Sequence, residues 1–171
     1  LWLDEGITWW VCKDGPAQAW HRALTFQGLS PLYYIVESLL FSFEPAPSEF
    51  LLRLPSVFFL VMGVYFCFKT LKSLSFTYAP AFVGVATLVA SPLVIRMCSA
   101  RPYAMAFCCL SISLCYWVRY LTFRTSSSYF VAIIFGILTV FAHYLFGFGL
   151  VCWWLLTLIG GSFTSPLSAT L

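Results

Sequence analysis

A polytopic, all-α transmembrane bundle is the fold this sequence predicts, and three features predict it. Hydrophobic residues fill 61% of the 171 positions and charged residues 9%, with a mean hydropathy of +0.92. A soluble domain carries about 25% charged residues, so the chain lacks the polar surface needed to face water all round. Long apolar runs alternate with short polar connectors, as crossing helices of roughly 20 residues require. Finally, Trp2, Trp9, Trp10 and Trp20 stand among charges in the opening stretch. Trp favours the membrane–water boundary, because its ring is apolar while its N–H needs a partner.

Residues 1–29 read as a non-cytoplasmic loop lying on the bilayer, with interfacial helices at about 5–13 and 17–26 parted by Gly15-Pro16. In the second, Ala17, Trp20, Ala23 and Leu24 recur along one face at helical spacing. A transmembrane helical region follows over 30–160. Segment 31–44 reaches only about 21 Å as a helix, short of a hydrocarbon core near 30 Å. It also carries Glu37 at its centre, which a full crossing would bury. The preferred reading is a re-entrant or tilted helix that returns to its own side, with a short true span as the alternative. Spans are expected at 53–70, 79–95, 103–120 and 129–159. The last is too long for one crossing and is split by Phe141-Ala142-His143-Tyr144 into helices near 129–142 and 145–159. Residues 161–171 form a polar connector.

Charge sets the orientation. Lys69, Lys72, Arg119 and Arg124 fall on one side with no acidic residue among them, which the positive-inside rule makes cytoplasmic. Alternation then places Asp4, Glu5, Arg53, the connector 96–101 and His143 together on the opposite side, provided 31–44 does not cross. The net charge of +3 comes without any Lys/Arg cluster, so no nucleic-acid partner is expected. Six of the seven cysteines lie in or beside apolar runs and no C-x-x-C pair occurs, so they read as small packing residues. Cys12, in a polar stretch, is the one expected to meet solvent. No basic region precedes a short apolar run near the start, so no signal peptide is expected. With only His21 and His143 as histidines, neither a metal nor a cofactor is called for.

Candidate functional residues gather on the non-cytoplasmic side. The carboxylates of Asp4-Glu5 are either loop groups favoured by a helix N-terminus or a reactive pair. Arg101, in Ala100-Arg101-Pro102-Tyr103-Ala104, precedes a helix whose first turn Pro102 suits. It is either a boundary cation or, with that helix start, an anion site. Tyr103 belongs either to the aromatic belt or to that anion site. Arg53, in Arg53-Leu54-Pro55-Ser56, is a boundary residue, a phosphate ligand or a structural partner of Asp4 and Glu5. Arg96 adds a second arginine to a connector where the topological rule disfavours positive charge, which points to a bound anion. His143 needs a hydrogen-bond partner wherever it sits, and a neighbouring helix is the simplest source.

The ordered set Asp4-Glu5, Gln27-Gly28-Leu29-Ser30-Pro31-Leu32-Tyr33-Tyr34, Arg53-Leu54-Pro55-Ser56 and Ala100-Arg101-Pro102-Tyr103-Ala104 resembles the N-terminal half of a membrane glycosyltransferase family. These are the polyprenyl-phosphate-sugar-dependent enzymes of the protein-mannosyltransferase and aminoarabinose-transferase type, with the GT-C fold. The resemblance runs over residues 1–154. It implies transfer of a sugar from a polyprenyl-monophosphate carrier to a protein, lipid or glycan acceptor. It also implies a multi-pass protein of a bacterial plasma membrane or the endoplasmic reticulum, with membrane lipids as its other partners. Asp4 would be the catalytic base, with Glu5 positioning it or binding the acceptor. Arg101, Tyr103, Arg53, Arg96 and His143 would bind substrate. The Ser30-Pro31-Leu32-Tyr33 stretch matches the family's Pro-Pro-Leu-Tyr only in part, and Gln27 and Ser30 stand where a basic residue is common. Family members also have a span ahead of this loop and further helices after it, so the chain alone is expected to be inactive.

That chemistry suits the residues. The leaving phosphate gains charge as the glycosidic bond breaks, and a guanidinium forks onto its oxygens without losing its proton. A carboxylate within hydrogen-bond reach accepts the proton of the incoming hydroxyl. Two other classes compete. A transporter or channel would line a path with Arg101, Glu37 and His143 near the bilayer midplane. A non-catalytic membrane subunit would have Asp4 and Arg101 pointing apart.

Overall fold

The computed structural model describes residues 3–26, 31–44, 47–74 and 77–160. Residues 27–30, with the Gln27 and Ser30 motif positions, and the connector 161–171 lie outside the described residues. The described secondary structure is entirely helical: α1 (Leu3–Cys12), α2 (Pro16–Thr25), α3 (Pro31–Phe43), α4 (Glu49–Ser73), α5 (Tyr78–Val89), α6 (Pro92–Met97), α7 (Tyr103–Phe123), α8 (Ser126–Ala142) and α9 (Tyr144–Gly160). Two of them, α4 and α7, are long and apolar enough to cross a membrane.

Local chemistry sets these boundaries. Gly15 adopts φ 92° and Pro16 opens α2, a pairing that turns the chain sharply and then restarts a helix. The Ser48 hydroxyl caps α4 by accepting from the Leu51 N–H at 3.4 Å, so α4 begins earlier than the expected span at 53. The span expected over 79–95 is instead broken: α5 ends at Val89 and α6 restarts at Pro92. Pro92 lacks an N–H, and its ring disfavours helical geometry in the residue before it. α7 closes on Arg124 in the left-handed region, φ 54°. His143, extended at φ −165°, separates α8 from α9.

α4 and α7 run parallel and in register. Ser56 donates to the Arg101 carbonyl, Gly63 faces Phe107 and Cys108, and Cys67 meets the Ser111 hydroxyl at 3.3 Å. The offset stays at about 45 positions along the whole contact. The buried face of α7 is made of small residues, among them Ala104, Cys108, Ser111 and Cys115, which let helix axes approach closely. α8 returns antiparallel to α7, with Ser113 donating to the Ala132 carbonyl at 2.7 Å. α9 descends again: Gly136 of α8 faces Trp154, and Trp117 of α7 donates to Thr157 at 2.8 Å.

The starts of α4, α7 and α9 therefore share one end of the bundle, called here the outer end. Lys69, Lys72, Arg119 and Arg124 lie toward the other end. Lys72 is 19 positions beyond Arg53 on α4, about 28 Å along a helix. α1, α2 and α3 form a layer over the outer end, sharing one core with Leu52, Met105, Ala106, Cys109 and Ala142. α3 has 13 residues, about 20 Å. Tyr33 near its start bonds Ser56 of α4, and its end leads within a few residues into the start of α4. It therefore begins and ends in the outer half.

Two sequence readings are corrected. Cys12 is fully buried and donates its thiol to the Tyr34 carbonyl at 3.4 Å, because α1 lies on α3 and its polar-looking stretch turns one face inward. On α2 the buried residues are Ala19 and Ala23, while Ala17, Trp20 and Leu24 are exposed. Close contact with α3 selects the small side chains and leaves the large ones outside.

Glycine at 63 is a packing requirement. A Cβ there would lie 2.6 Å from the Phe107 ring and 3.2 Å from the Cys108 Cα, whereas one at Gly149 would meet nothing within 4 Å. Gly63→Ala is expected to destabilise the bundle by about 1–3 kcal/mol through overpacking. Gly149→Ala should instead be neutral or gain up to ~1 kcal/mol of helix propensity. Melting temperatures in detergent test this, and equal values for the two variants would refute the register of α4 and α7.

Candidate functional site

The outer end assembles most of the candidate residues from four elements. Glu5 on α1 is 2% exposed, yet its carboxylate is fully engaged. Arg53 Nε donates to Oε1 at 2.8 Å and a second guanidinium nitrogen donates to Oε2 at 3.0 Å. This fork is the strongest geometry available between side chains of these types. Arg53 also reaches Glu49, one turn earlier on α4, at 3.8 Å. Of the three parts open to Arg53, the geometry selects the partner of Glu5. A guanidinium so occupied does not clamp a phosphate in this conformation.

A second bond fixes α1. Thr8 donates its hydroxyl to the Ala100 carbonyl at 2.7 Å, joining the first helix to the connector between α6 and α7. Ser56 donates to the neighbouring Arg101 carbonyl and also meets the Tyr33 hydroxyl at 3.0 Å. α1, α3, α4 and the connector are thus tied by hydrogen bonds in a largely apolar surrounding, where each bond is stronger than in water. Asp4 stands on α1 one residue before Glu5 and one turn before Thr8. Its side chain lies outside the described residues.

Arg101, Tyr103 and His143 form a second group. A guanidinium nitrogen of Arg101 lies 3.4 Å from the Tyr103 hydroxyl, and the guanidinium carbon sits 5.8 Å from the Tyr103 ring centre. Tyr103 and His143 rings are 5.0 Å apart, and His143 stacks on Tyr144 at 5.5 Å. His143 Nδ1 is buried without a hydrogen-bond partner among the described residues, so the expected bond to a neighbouring helix is not made through that atom. Burial lowers its proton affinity and favours neutral imidazole. Pro102 occupies the N-cap of α7 rather than its first turn, and its carbonyl accepts from Ala106 N–H at 2.9 Å. Arg96 is exposed on α6, and no hydrogen bond or ion pair joins its side chain to this group among the described residues.

Sequence reasoning missed Thr8, Ser56 and Tyr33. The signal for Thr8 was present: Glu5, Thr8 and Cys12 recur at helical spacing, and all three are buried. Ser56 and Tyr33 carry no comparable pattern, because their meeting depends on how α3 lies across α4. Among the described residues, no three His, Cys, Asp or Glu side chains converge as metal ligands. Compared with protein-family models, curated proteins and solved structures, the chain matches none of them.

The Glu5–Arg53 pair should couple α1 to α4 energetically. Arg53→Ala removes the charged fork from a buried carboxylate and is expected to cost about 2–3 kcal/mol. Glu49→Ala, which removes a long and half-exposed contact, should cost about 0.5 kcal/mol or less. In a double-mutant cycle, Glu5→Gln with Arg53→Ala should cost clearly less than the two singles added. Strict additivity would show that the pair contributes nothing to stability.

Proposed function

We propose that this chain is the membrane-embedded N-terminal part of a glycosyltransferase that moves a sugar from a polyprenyl-monophosphate carrier to an acceptor outside the cytoplasm. The observation that carries the reading is the convergence, at one end of the bundle, of the acid-bearing start of α1 with the Arg101–Tyr103–His143 group. Thr8 bonding the residue next to Arg101 supports it most directly. A base and a phosphate clamp must share one substrate, and opposite ends of a span would keep them some 30 Å apart.

In this reading Asp4 takes the proton of the acceptor hydroxyl as that oxygen bonds to the anomeric carbon and the bond to the carrier phosphate breaks. Arg101 stabilises the charge that grows on the leaving phosphate, and a fixed cation at a partly dehydrated site does so better than water. Tyr103 orients the guanidinium by its hydroxyl and ring. His143 walls the site as a neutral aromatic, and Arg96 lies on the route by which an anionic headgroup approaches. Glu5, held by Arg53, acts as a positioning residue for the turn of α1 that carries Asp4.

The membrane setting belongs to the same proposal. Phe58, Val61, Phe82, Phe130, Ile134 and Phe148 are among the large apolar side chains exposed on the bundle, a surface suited to lipid. Outer-end residues face the non-cytoplasmic side, and Lys69, Lys72, Arg119 and Arg124 face the cytoplasm.

Two measurements test this. In the longer protein that the resemblance implies, Asp4→Asn should lower the transfer rate from a lipid-phosphate sugar by about 10²-fold or more, the usual contribution of a general base. Wild-type rates in that variant would remove Asp4 from the mechanism. In membranes, thiols introduced at positions 4 and 72 in a background lacking native cysteines should label from opposite sides. Labelling from one side would separate Asp4 from Arg101 and defeat the arrangement.

A further inference from the structure

Glu37 is the least expected group in this fold. It occupies the middle of the buried stripe of α3, between Tyr33 and Phe41, and is 0% exposed. Neither of its carboxyl oxygens has a hydrogen-bond partner among the described residues. Among the described residues, the charged side chains of α2 and of the start of α4 are engaged elsewhere. Arg53 of α4 is held by Glu5 and Glu49. Arg22 of α2 is bound to Asp14 and to the Trp10 carbonyl, and His21 is exposed. From α8 the shared apolar core takes Phe135, Leu138 and Ala142, and from α7 Met105, Ala106 and Cys109. The titratable neighbours among the described residues are Cys12 of α1, which donates to the Tyr34 carbonyl, Cys109 of α7, Tyr34 itself, and Tyr33, which meets Ser56. None supplies a positive charge.

We propose that Glu37 is a proton-binding site whose neutral acid allows the α1–α3 layer to close on the bundle, and whose ionisation opens that layer. A carboxylate without a cation or donors is strongly disfavoured in such a place, while the protonated acid is tolerated. Burial pushes the carboxyl up to about 8, and the nearby Tyr33 hydroxyl opposes this only in part. Once the layer lifts and water enters, the carboxyl returns to its ordinary value of 4.5. The closed form binds more protons than the open form between those two values. Closure is therefore fully favoured below the lower value, weakens about tenfold per pH unit above it, and levels off beyond the upper value. The device goes beyond the glycosyl-transfer reading and does not depend on it.

Cys12 reports the opening, because it is fully buried beneath the same layer. The experiment labels the otherwise native chain in membranes with a small maleimide between about pH 6 and 8 and reads the Cys12 peptide by mass spectrometry. Labelling needs the open layer and the thiolate, and each releases one proton. The logarithm of the wild-type rate should rise with a slope of about 2 against pH, and that of Glu37→Gln with a slope of about 1. Equal slopes in the two proteins would overturn the proposal. So would rapid labelling of Glu37→Gln at pH 6, since a neutral side chain at 37 is held to be enough for closure.

Discussion

The close, parallel contact between α4 and α7 is the constraint on which the rest of the structure depends. It is made possible by Gly63 and by the small buried face of α7, where a single added methyl at position 63 would collide with Phe107. Two parallel neighbours must be joined by a returning segment, and α5 with α6 provides it. Because the register is held along the whole length, the start of α4 and the start of α7 meet at one end. Ser56 and the Arg101 carbonyl are the visible sign of that meeting. Everything of chemical interest at the outer end follows from this alignment.

The layer of α1–α3 is held on differently. Its core contacts use small residues such as Ala19 and Ala23, but its position is specified by polar bonds: Glu5 to Arg53, Thr8 to Ala100, and Tyr33 to Ser56. Buried polar bonds are directional and costly to leave unmade, so they select one placement where apolar packing alone would tolerate several. Among the described residues Glu37 sits within the same layer without such a bond, and the layer therefore combines specific anchors with one group that tolerates closure only in its neutral form.

Much of the helical plan was legible from local signals. Gly15-Pro16 parts α1 from α2, and His143 divides α8 from α9, both where the sequence pattern places a break. The short reach of 31–44 matches a helix that stays in the outer half. Where reading failed, a stronger local term or a tertiary contact was overlooked. Pro92 outweighed the apolar continuity of 79–95. Cys12 looked solvated because its neighbours Lys13 and Asp14 are charged, yet a helix presents its two sides independently. The α2 stripe was read by hydrophobicity, whereas contact with α3 was decided by size.

The sequence by itself determined most of the helices, their order and their segregation of charge, since all six acidic residues precede position 50 and seven of the nine Lys and Arg residues follow it. These properties rest on local backbone preference and on composition, which need no knowledge of what packs against what. Only the tertiary structure decided that Arg53 is the partner of Glu5, that Thr8 reaches the connector beside Arg101, and that Glu37 lies buried without a donor among the described residues. Those outcomes depend on the rotation of each helix about its axis and on its depth beside its neighbours. Both are set by side-chain interlocking between residues about 20 to 90 positions apart, which a local pattern does not specify.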